Sequence, residues 1–215
     1  MRGKLIVLEG LDRAGKSSQC VRLAERLQKE GHKVRHMRFP DRTTPIGQMI
    51  NSYLTGASEQ EDHVIHLLFS ANRWEAAADI QADIEAGTTV IIDRYYYSGC
   101  VYSAAKDNPT LPLAWARHPE VGLPRPDLCL FLDIAPEEAA KRGGFGEEKY
   151  ETKRMQDRVR DLFAELRKAP EKDDFCTIDA GKSAEEVGDE IWRVTRSMFK
   201  RVDEAVTPLG TVQAW

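Results

Sequence analysis

Gly10 and the triplet Gly15-Lys16-Ser17 have the spacing of a phosphate-binding loop, since four residues separate the two glycines. This G-x-x-x-x-G-K-S motif follows a short apolar run and precedes a helical pattern, which is the context that such a loop requires. Its backbone N–H groups would surround a phosphate, the lysine would reach the β- and γ-phosphates, and the serine hydroxyl would bind Mg²⁺. The alternative is a glycine-rich turn without a ligand.

Two charged residues, Asp12 and Arg13, lie inside this loop. The loop alone does not identify the phosphoryl acceptor, because GTPases, motor-like ATPases and small-molecule kinases share it. A GTPase needs a base-reading N-K-x-D segment, which the sequence lacks. The third apolar run ends in Asp93-Arg94-Tyr95. It therefore places a group able to organise Mg²⁺ beside one able to grip phosphate, although a structural ion pair between Asp93 and Arg94 is the alternative.

Short apolar runs at residues 5–8, 34–39, 89–92, 128–134 and 175–178 alternate with helical patterns. Strands alternating with helices predict an α/β fold with a five-stranded parallel sheet, flanked by helices on both faces. The runs 5–8, 89–92 and 128–132 are almost continuously apolar and are predicted to be the central strands. Helical patterns cover about residues 48–54 and 59–85, and a short helix is expected at 113–117 within the proline-rich connection 109–126.

The chain has 215 residues, with 31 basic and 35 acidic side chains and a net charge of −4. This length favours one domain spanning residues 1–215, and the charge argues against binding to nucleic acid or to a membrane. No apolar run approaches the ~20 residues of a membrane span. The four cysteines lack metal-site spacing, so we expect buried free thiols in a reducing compartment. We expect the cytoplasm, with the nucleus and the mitochondrion as the alternatives.

Six segments, in this order, carry a resemblance to a known family: EGLDRAGKSSQ, RFPDRTTPIG, LLFSANRWE, DRYYYSGCVYSAAK, GLPRPDLCLFLD and KRGGFGEEKYE. Over residues 4–183 the chain resembles the thymidylate kinases, which phosphorylate dTMP to dTDP. The resemblance implies a P-loop nucleotide kinase fold with a short lid at about residues 143–150. It also implies ATP as the donor, Mg²⁺ as the cofactor and a homodimer.

The resemblance further implies a catalytic set and a metal site. In that family the aspartate of the loop reaches the 3′-hydroxyl of the nucleotide sugar, and a catalytic arginine lies either in the loop or in the lid. The lid sequence GGFGEE has no arginine, so Arg13 would act as a built-in arginine finger, with a solvated loop charge as the alternative. The implied catalytic residues are Arg13, Lys16, Asp93 and Arg94, and the implied metal ligands are Ser17 and Asp93.

The two nucleotide sites follow from the resemblance in the same way. Phe69 would stack on thymine, Arg73 would hydrogen-bond its edge, Arg42 and Arg94 would hold the phosphate, and Tyr102 would exclude a ribose 2′-hydroxyl. A core phenylalanine with a surface arginine is the alternative for Phe69 and Arg73. An ordinary buried tyrosine is the alternative for Tyr102, and a complement to the helix dipole is the alternative for Arg142. The implied dTMP site comprises Asp12, Phe39, Arg42, Phe69, Arg73, Arg94, Tyr95, Ser98, Gly99, Tyr102 and Tyr150. The implied ATP site comprises Gly10, Asp12, Arg13, Ala14, Gly15, Lys16, Ser17, Ser18, Arg142 and Lys182.

Three other functions remain as alternatives at this point. They are a kinase for another pyrimidine nucleotide, a deoxynucleoside kinase of related fold, and a nucleotide-dependent binding protein whose catalytic parts have decayed. His63 and His66 lie three residues apart beside acidic side chains. They could suggest a metal site, but a solvated acidic helix face is favoured because no complete ligand set is visible.

Overall fold

The computed structural model describes residues 1–142, 149–150, 152–168 and 174–214. The strands are β1 (Leu5–Gly10), β2 (Val34–Arg38), β3 (Thr89–Asp93), β4 (Leu128–Asp133) and β5 (Phe175–Asp179). The helices are α1 (Lys16–Lys29), α2 (Pro45–Leu54), α3 (Asp62–Trp74), α4 (Ala77–Glu85), α5 (Tyr96–Ala104), α6 (Leu113–Arg117), α7 (Pro136–Lys141), α8 (Lys153–Leu166) and α9 (Ala184–Ala205).

The five strands form one parallel sheet in the order β2-β3-β1-β4-β5. The prediction of the central strands is confirmed, because β3, β1 and β4 occupy the middle and are almost entirely buried. Alternate residues of these strands pack against α4, α5 and α8 on one face and against α1 and α9 on the other. All strands therefore end at one edge, where ligands of open α/β sheets bind.

The helical pattern at residues 59–85 is not one helix, which corrects the prediction. It is divided into α3 and α4 by a turn at Glu75 and Ala76, where the Ala76 N–H bonds the Arg73 carbonyl instead of the carbonyl four residues back. The apolar period continues across such a turn, so it does not show the break. The first pattern begins earlier than predicted, at Pro45, because the Thr44 side chain caps α2.

The proline-rich connection contains the predicted short helix α6 and, directly after it, a 3₁₀ turn at His118–Glu120. A strand-like pairing holds the following residues, since Gly122, Leu123 and Arg125 exchange backbone hydrogen bonds with residues 210 and 212. Val212 is buried in the core beside α5. The end of the described chain therefore supports the connection that carries Glu120.

Cys20, Cys100 and Cys129 are buried, as expected, and form no disulfide among the described residues, whereas Cys176 is only half-buried. None of the helices in the described part of the chain combines the length and apolar character needed to cross a membrane. Residues 143–148 of the predicted lid lie outside the described residues.

Candidate active site

The phosphate-binding loop connects β1 to α1 at the carboxyl edge of the sheet. Gly10 has a φ of +140°, and a Cβ there would lie 2.5 Å from the Leu132 carbonyl oxygen. Only glycine therefore fits this position. Arg13 has a φ of +67° and is half-buried, and its carbonyl oxygen accepts a hydrogen bond from Arg142 Nη1 at 3.0 Å.

Lys16 is buried beneath the loop, and its ammonium donates to the Leu11 carbonyl at 2.6 Å. Burial and the nearby positive charge of Arg94 lower the pKa of Lys16 to about 8. The ammonium thus lies in a low-dielectric position, where it interacts strongly with an anion in the loop.

Ser17 lies in the first turn of α1 and Asp93 ends β3, and the Ser17 hydroxyl donates to the Asp93 carboxylate. Hydroxyl and carboxylate oxygens suit Mg²⁺, which keeps several waters and takes one or two protein ligands beside phosphates. The pair therefore fits the metal role that the sequence implied. Arg38 Nε lies 3.9 Å from Asp93 Oδ2, and the sequence analysis did not identify this arginine.

Arg94 is the first residue after β3, and its backbone φ is +64°. Its guanidinium donates to the Asp12 carboxylate, to the Gly10 carbonyl at 3.2 Å and to Ser98 Oγ at 3.0 Å. The alternative of an ion pair between Asp93 and Arg94 is wrong among the described contacts, because Arg94 pairs with Asp12.

Asp12 is the centre of a polar network above the loop. Its Oδ2 accepts from the Tyr102 hydroxyl at 3.1 Å and from Gln156 Nε2 at 2.7 Å. Burial opposes ionisation, but the charges of Arg94 and Lys16 outweigh it and hold the pKa of Asp12 below its usual value. Asp12 is therefore a carboxylate at neutral pH.

A cavity opens beside this network at the carboxyl edge of the sheet. Each residue of the implied dTMP site lines it, together with Arg38, Pro40, Leu54 and Ser103. The structure brings the implied residues together, and their individual roles remain predictions. Arg38 and Ser103 reach the cavity from the end of β2 and from α5.

Phe69 and Arg73 lie on one face of α3, with Phe69 half-buried and Arg73 buried. The alternative of a surface arginine is therefore wrong. Arg42 is half-buried and donates from Nη1 to Asn51 Oδ1 at 2.8 Å. The Tyr150 ring lies 5.7 Å from that of Tyr102, so Tyr150 packs against the cavity.

A family model described as thymidylate kinase matches residues 8–191 of the chain. The chain belongs to the thymidylate kinase family. The thymidylate kinase of Homo sapiens is 45% identical over 209 residues, which cover 97% of this chain and 96% of the relative. That of Schizosaccharomyces pombe is 48% identical over 192 residues, covering 88% of this chain and 90% of the relative. A solved thymidylate kinase structure from Candida albicans has a TM-score of 0.85 at 35% identity and covers 99% of each chain. The sheet and its helices are thus a P-loop kinase fold.

The donor side of this thymidylate kinase family member is exposed. Arg142 joins the phosphate-binding loop to the loop after β5, because Nη2 donates to the Ala180 carbonyl at 2.7 Å and Nη1 to Arg13. Lys182 pairs with Glu190 at 3.2 Å, and Ser18 is exposed on α1. Ala14 is buried in the loop. Of the two implied ATP-site residues outside the loop and α1, Arg142 is thus the one whose described hydrogen bonds reach the loop.

Glu9 is a buried carboxyl that sequence analysis of this thymidylate kinase family member did not identify. It accepts from the Tyr95 N–H at 2.9 Å, the Ser98 N–H at 3.0 Å and the Ser98 hydroxyl at 2.5 Å. Burial raises its pKa, although Arg94 and Ser98 oppose the shift. Glu9 fixes the start of α5 and, through Ser98, the Arg94 guanidinium. A charged residue ending an otherwise apolar strand is the signal that could have indicated it.

The prediction of a solvated helix face at His63 and His66 is wrong for His66, which is fully buried and bonds Ser103 Oγ at 2.7 Å. His66 faces α5 because α3 packs against α5. Among the described residues, no group of three or more histidine, cysteine or acidic side chains could hold a metal ion. Tyr96 and Tyr97 are core residues.

Proposed function

We propose that this protein transfers the γ-phosphoryl group of MgATP to dTMP, giving ADP and dTDP. The observation that carries the proposal is the cavity that opens beside the phosphate-binding loop, lined by Phe69 and by several arginines. A flat apolar ring suits a base, and guanidinium groups suit a dianionic phosphate. Family membership supports the same acceptor.

The catalytic roles rest on charge and position. Lys16 neutralises the β- and γ-phosphates, and Arg13 and Arg94 stabilise charge that spreads over the transferring phosphoryl group. Ser17 and Asp93 would hold Mg²⁺, which would supply positive charge against the negative charge of the phosphates. Since the transfer is direct and in line, the protein contributes positioning and charge rather than a covalent intermediate.

The acceptor roles follow the cavity wall. Arg42 and Arg94 hold the monophosphate, Asp12 meets the 3′-hydroxyl and Tyr102 fills the space on the 2′ side of the sugar. Besides Arg73, which would meet the base, the wall has a third arginine for the phosphate, Arg38. A nucleoside has no phosphate to pair with these three guanidinium groups. The cavity therefore disfavours the alternative of a deoxynucleoside kinase.

A nucleotide-dependent binding protein with decayed catalytic parts is the candidate from a different class. The implied catalytic and metal-binding residue types are all present, and they lie together at one edge of the sheet: Lys16, Ser17, Asp93 and Arg94. The intact set disfavours this alternative.

We also propose the assembly and location of the protein. Residues 1–215 form one thymidylate-kinase-like domain with its lid at about residues 143–150, and two copies form a homodimer. Buried cysteines outside any disulfide in the described part of the chain suit a reducing compartment, so the cytoplasm is the proposed location.

The test is a coupled assay of ADP release with MgATP and a panel of nucleosides and nucleoside monophosphates. We expect dTMP to be the best acceptor, dUMP to be weaker and thymidine to be inert, because thymidine lacks the phosphate that the arginines hold. Arg94→Ala should raise KM for dTMP and lower kcat together. Phosphorylation of thymidine as fast as dTMP would contradict the proposal.

A further inference from the structure

Arg73 reaches the acceptor cavity as one half of a buried ion pair. Its Nε donates to Glu120 Oε2 at 2.9 Å and its Nη2 to Glu120 Oε1 at 2.5 Å. The two side chains are 3% and 0% exposed. A buried guanidinium needs such a carboxylate, because an unpaired charge in the interior is costly.

The pair also fixes the direction of the guanidinium. Gly99 lies against it on α5, and a Cβ at that position would be 2.5 Å from Nη2 and 2.9 Å from Cζ. With Nε and Nη2 directed at Glu120, Nη1 keeps two N–H donors that no described residue uses. Arg73 lines the cavity. Its Nη1 donors can therefore form hydrogen bonds with a ligand in that cavity.

Among the described contacts, one other ionisable side chain, that of His66, lies close to Glu120. His66 Nε2 lies 3.9 Å from Glu120 Oε1. Burial and the charge of Arg73 lower the pKa of His66 to about 3, so the imidazole is neutral. Arg73 is thus the charged partner of Glu120 among the described contacts.

We infer that Glu120 is a positioning residue for base selection: it holds Arg73 so that the guanidinium presents only donors to the acceptor base. A guanidinium has no acceptor atom, so this arrangement favours a base with a carbonyl oxygen at that edge and disfavours one with an amino group. The inference rests on the proposed dTMP kinase function. It adds a selectivity residue outside the cavity wall, brought to Arg73 by the turn after α6.

Glu120→Gln tests this role, because it replaces one carboxylate oxygen with an amide group that cannot accept from Arg73. We expect KM for dTMP to rise about 10- to 100-fold, with kcat within about threefold of the parent. The inhibition constant of dCMP should change by less than about threefold, because its amino group gains little from these donors. Discrimination between the two nucleotides therefore shrinks.

Asp174→Asn is the matched control. Asp174 is another buried carboxylate that binds an arginine, with contacts to Arg125 Nη2 at 2.6 Å and Nε at 3.1 Å. It does not line the acceptor cavity. We expect it to lower the melting temperature, as Glu120→Gln does, while KM and discrimination stay at parent values. A loss of stability alone in Glu120→Gln would mean a purely structural role and would overturn the inference.

Two further variants keep the test decisive. Adding Glu120→Gln to Arg73→Met should leave KM for dTMP within about twofold of the single Arg73→Met variant, because Glu120 acts through Arg73; a further rise overturns the inference. If Glu120→Gln does not fold, Glu120→Asp retains the charge on a shorter side chain and should shift KM in the same direction. Parent-like values there also overturn it.

The outcomes separate the two proposals. If the parent protein releases no ADP with dTMP, the proposed function is wrong, and so is the inference that rests on it. An active parent whose Glu120→Gln variant keeps its KM and its discrimination removes only the inference.

Discussion

Arg13 places a positive charge inside the phosphate-binding loop itself. The loop conformation at this residue is left-handed, with a φ of +67°, and the Arg142 guanidinium binds its carbonyl oxygen. Both features fix the backbone from which the side chain extends. If that side chain meets charge that develops only during phosphoryl transfer, its contribution belongs to kcat rather than to ATP binding.

Arg13→Ala should therefore lower the single-turnover rate with saturating dTMP and MgATP by about 10³-fold or more. Affinity for MgATP should remain within a few-fold of the parent. Arg13→Lys should recover only part of the rate, since an ammonium carries the charge without the planar fork.

The control for this prediction is Arg22→Ala, which removes an exposed arginine of α1 and should leave the rate unchanged. The assignment of Arg13 fails if a folded Arg13→Ala protein transfers phosphate within about threefold of the parent rate.

Single residues differ in how far the sequence predicts them. Lys16, Ser17 and Arg13 belong to one short motif, so their spacing is enough. Glu120 contacts Arg73 across 47 positions of sequence, and only the tertiary fold joins them. Arg38 belongs to the edge strand β2, and its place on the cavity wall depends on how that strand pairs with β3.

At the scale of elements, three helices meet at a neutral histidine. His66 of α3 bonds Ser103 of α5, and the Trp115 ring of α6 packs edge-on at 5.6 Å. The pKa of His66 is lowered to about 3 by burial and by Arg73, whereas in the unfolded chain it is about 6.5. Protonation therefore favours the unfolded chain.

The direction in which the free energy of unfolding changes with pH follows from which state binds the proton of His66. Above about pH 6.5 His66 is neutral in both states and contributes nothing; between about pH 6.5 and 3 only the unfolded chain binds the proton. The free energy of unfolding should thus fall on acidification, by about 2 kcal/mol from this group between pH 7 and pH 5. Urea unfolding at the two pH values should show a smaller loss in His66→Gln than in the parent.

His63→Gln is the control with the opposite sign. Its hydrogen bond to Glu61 raises the pKa of the half-buried His63, so any stabilisation is present in acid and is lost as pH rises. Replacing it should leave the acid loss unchanged or make it larger. An equal acid loss in His66→Gln and in the parent would contradict the account of His66.

The elements themselves follow largely from the sequence. The strand predictions differ from the observed strands by one or two residues at their ends. For the central strands β1, β3 and β4 the reason is that burial on both faces requires continuous apolar runs. The break between α3 and α4 was missed, since a single turn does not interrupt the apolar period. The helical N-terminus at Pro45 depends on the side chain of Thr44.

At the scale of the whole molecule, an apolar surface on α2 and α3 remains uncovered. Met49, Val64, Leu67 and Trp74 are 48%, 44%, 47% and 43% exposed. The three α3 residues follow helical spacing and form one stripe. Phe69 and Arg73 extend from the same helix to the acceptor cavity, so a second copy on the stripe would support the helix that carries them.

Leu67→Glu should convert the proposed homodimer into a monomer, because each interface would bury two unpaired carboxylates related by symmetry. Sedimentation velocity measures the change in mass directly. We expect KM for dTMP to rise in the monomer more than KM for ATP, since α3 contributes Phe69 and Arg73 to the acceptor cavity while the phosphate-binding loop precedes α1.

Val21→Glu provides the matched control, because Val21 is 45% exposed on α1, away from this surface. It introduces the same charge and should leave the mass of the dimer unchanged. Met49→Glu, on α2, should act as Leu67→Glu does. If both Met49→Glu and Leu67→Glu sediment as dimers, the apolar surface on α2 and α3 is not the interface. If the parent protein sediments as a monomer, the proposal of a homodimer is wrong.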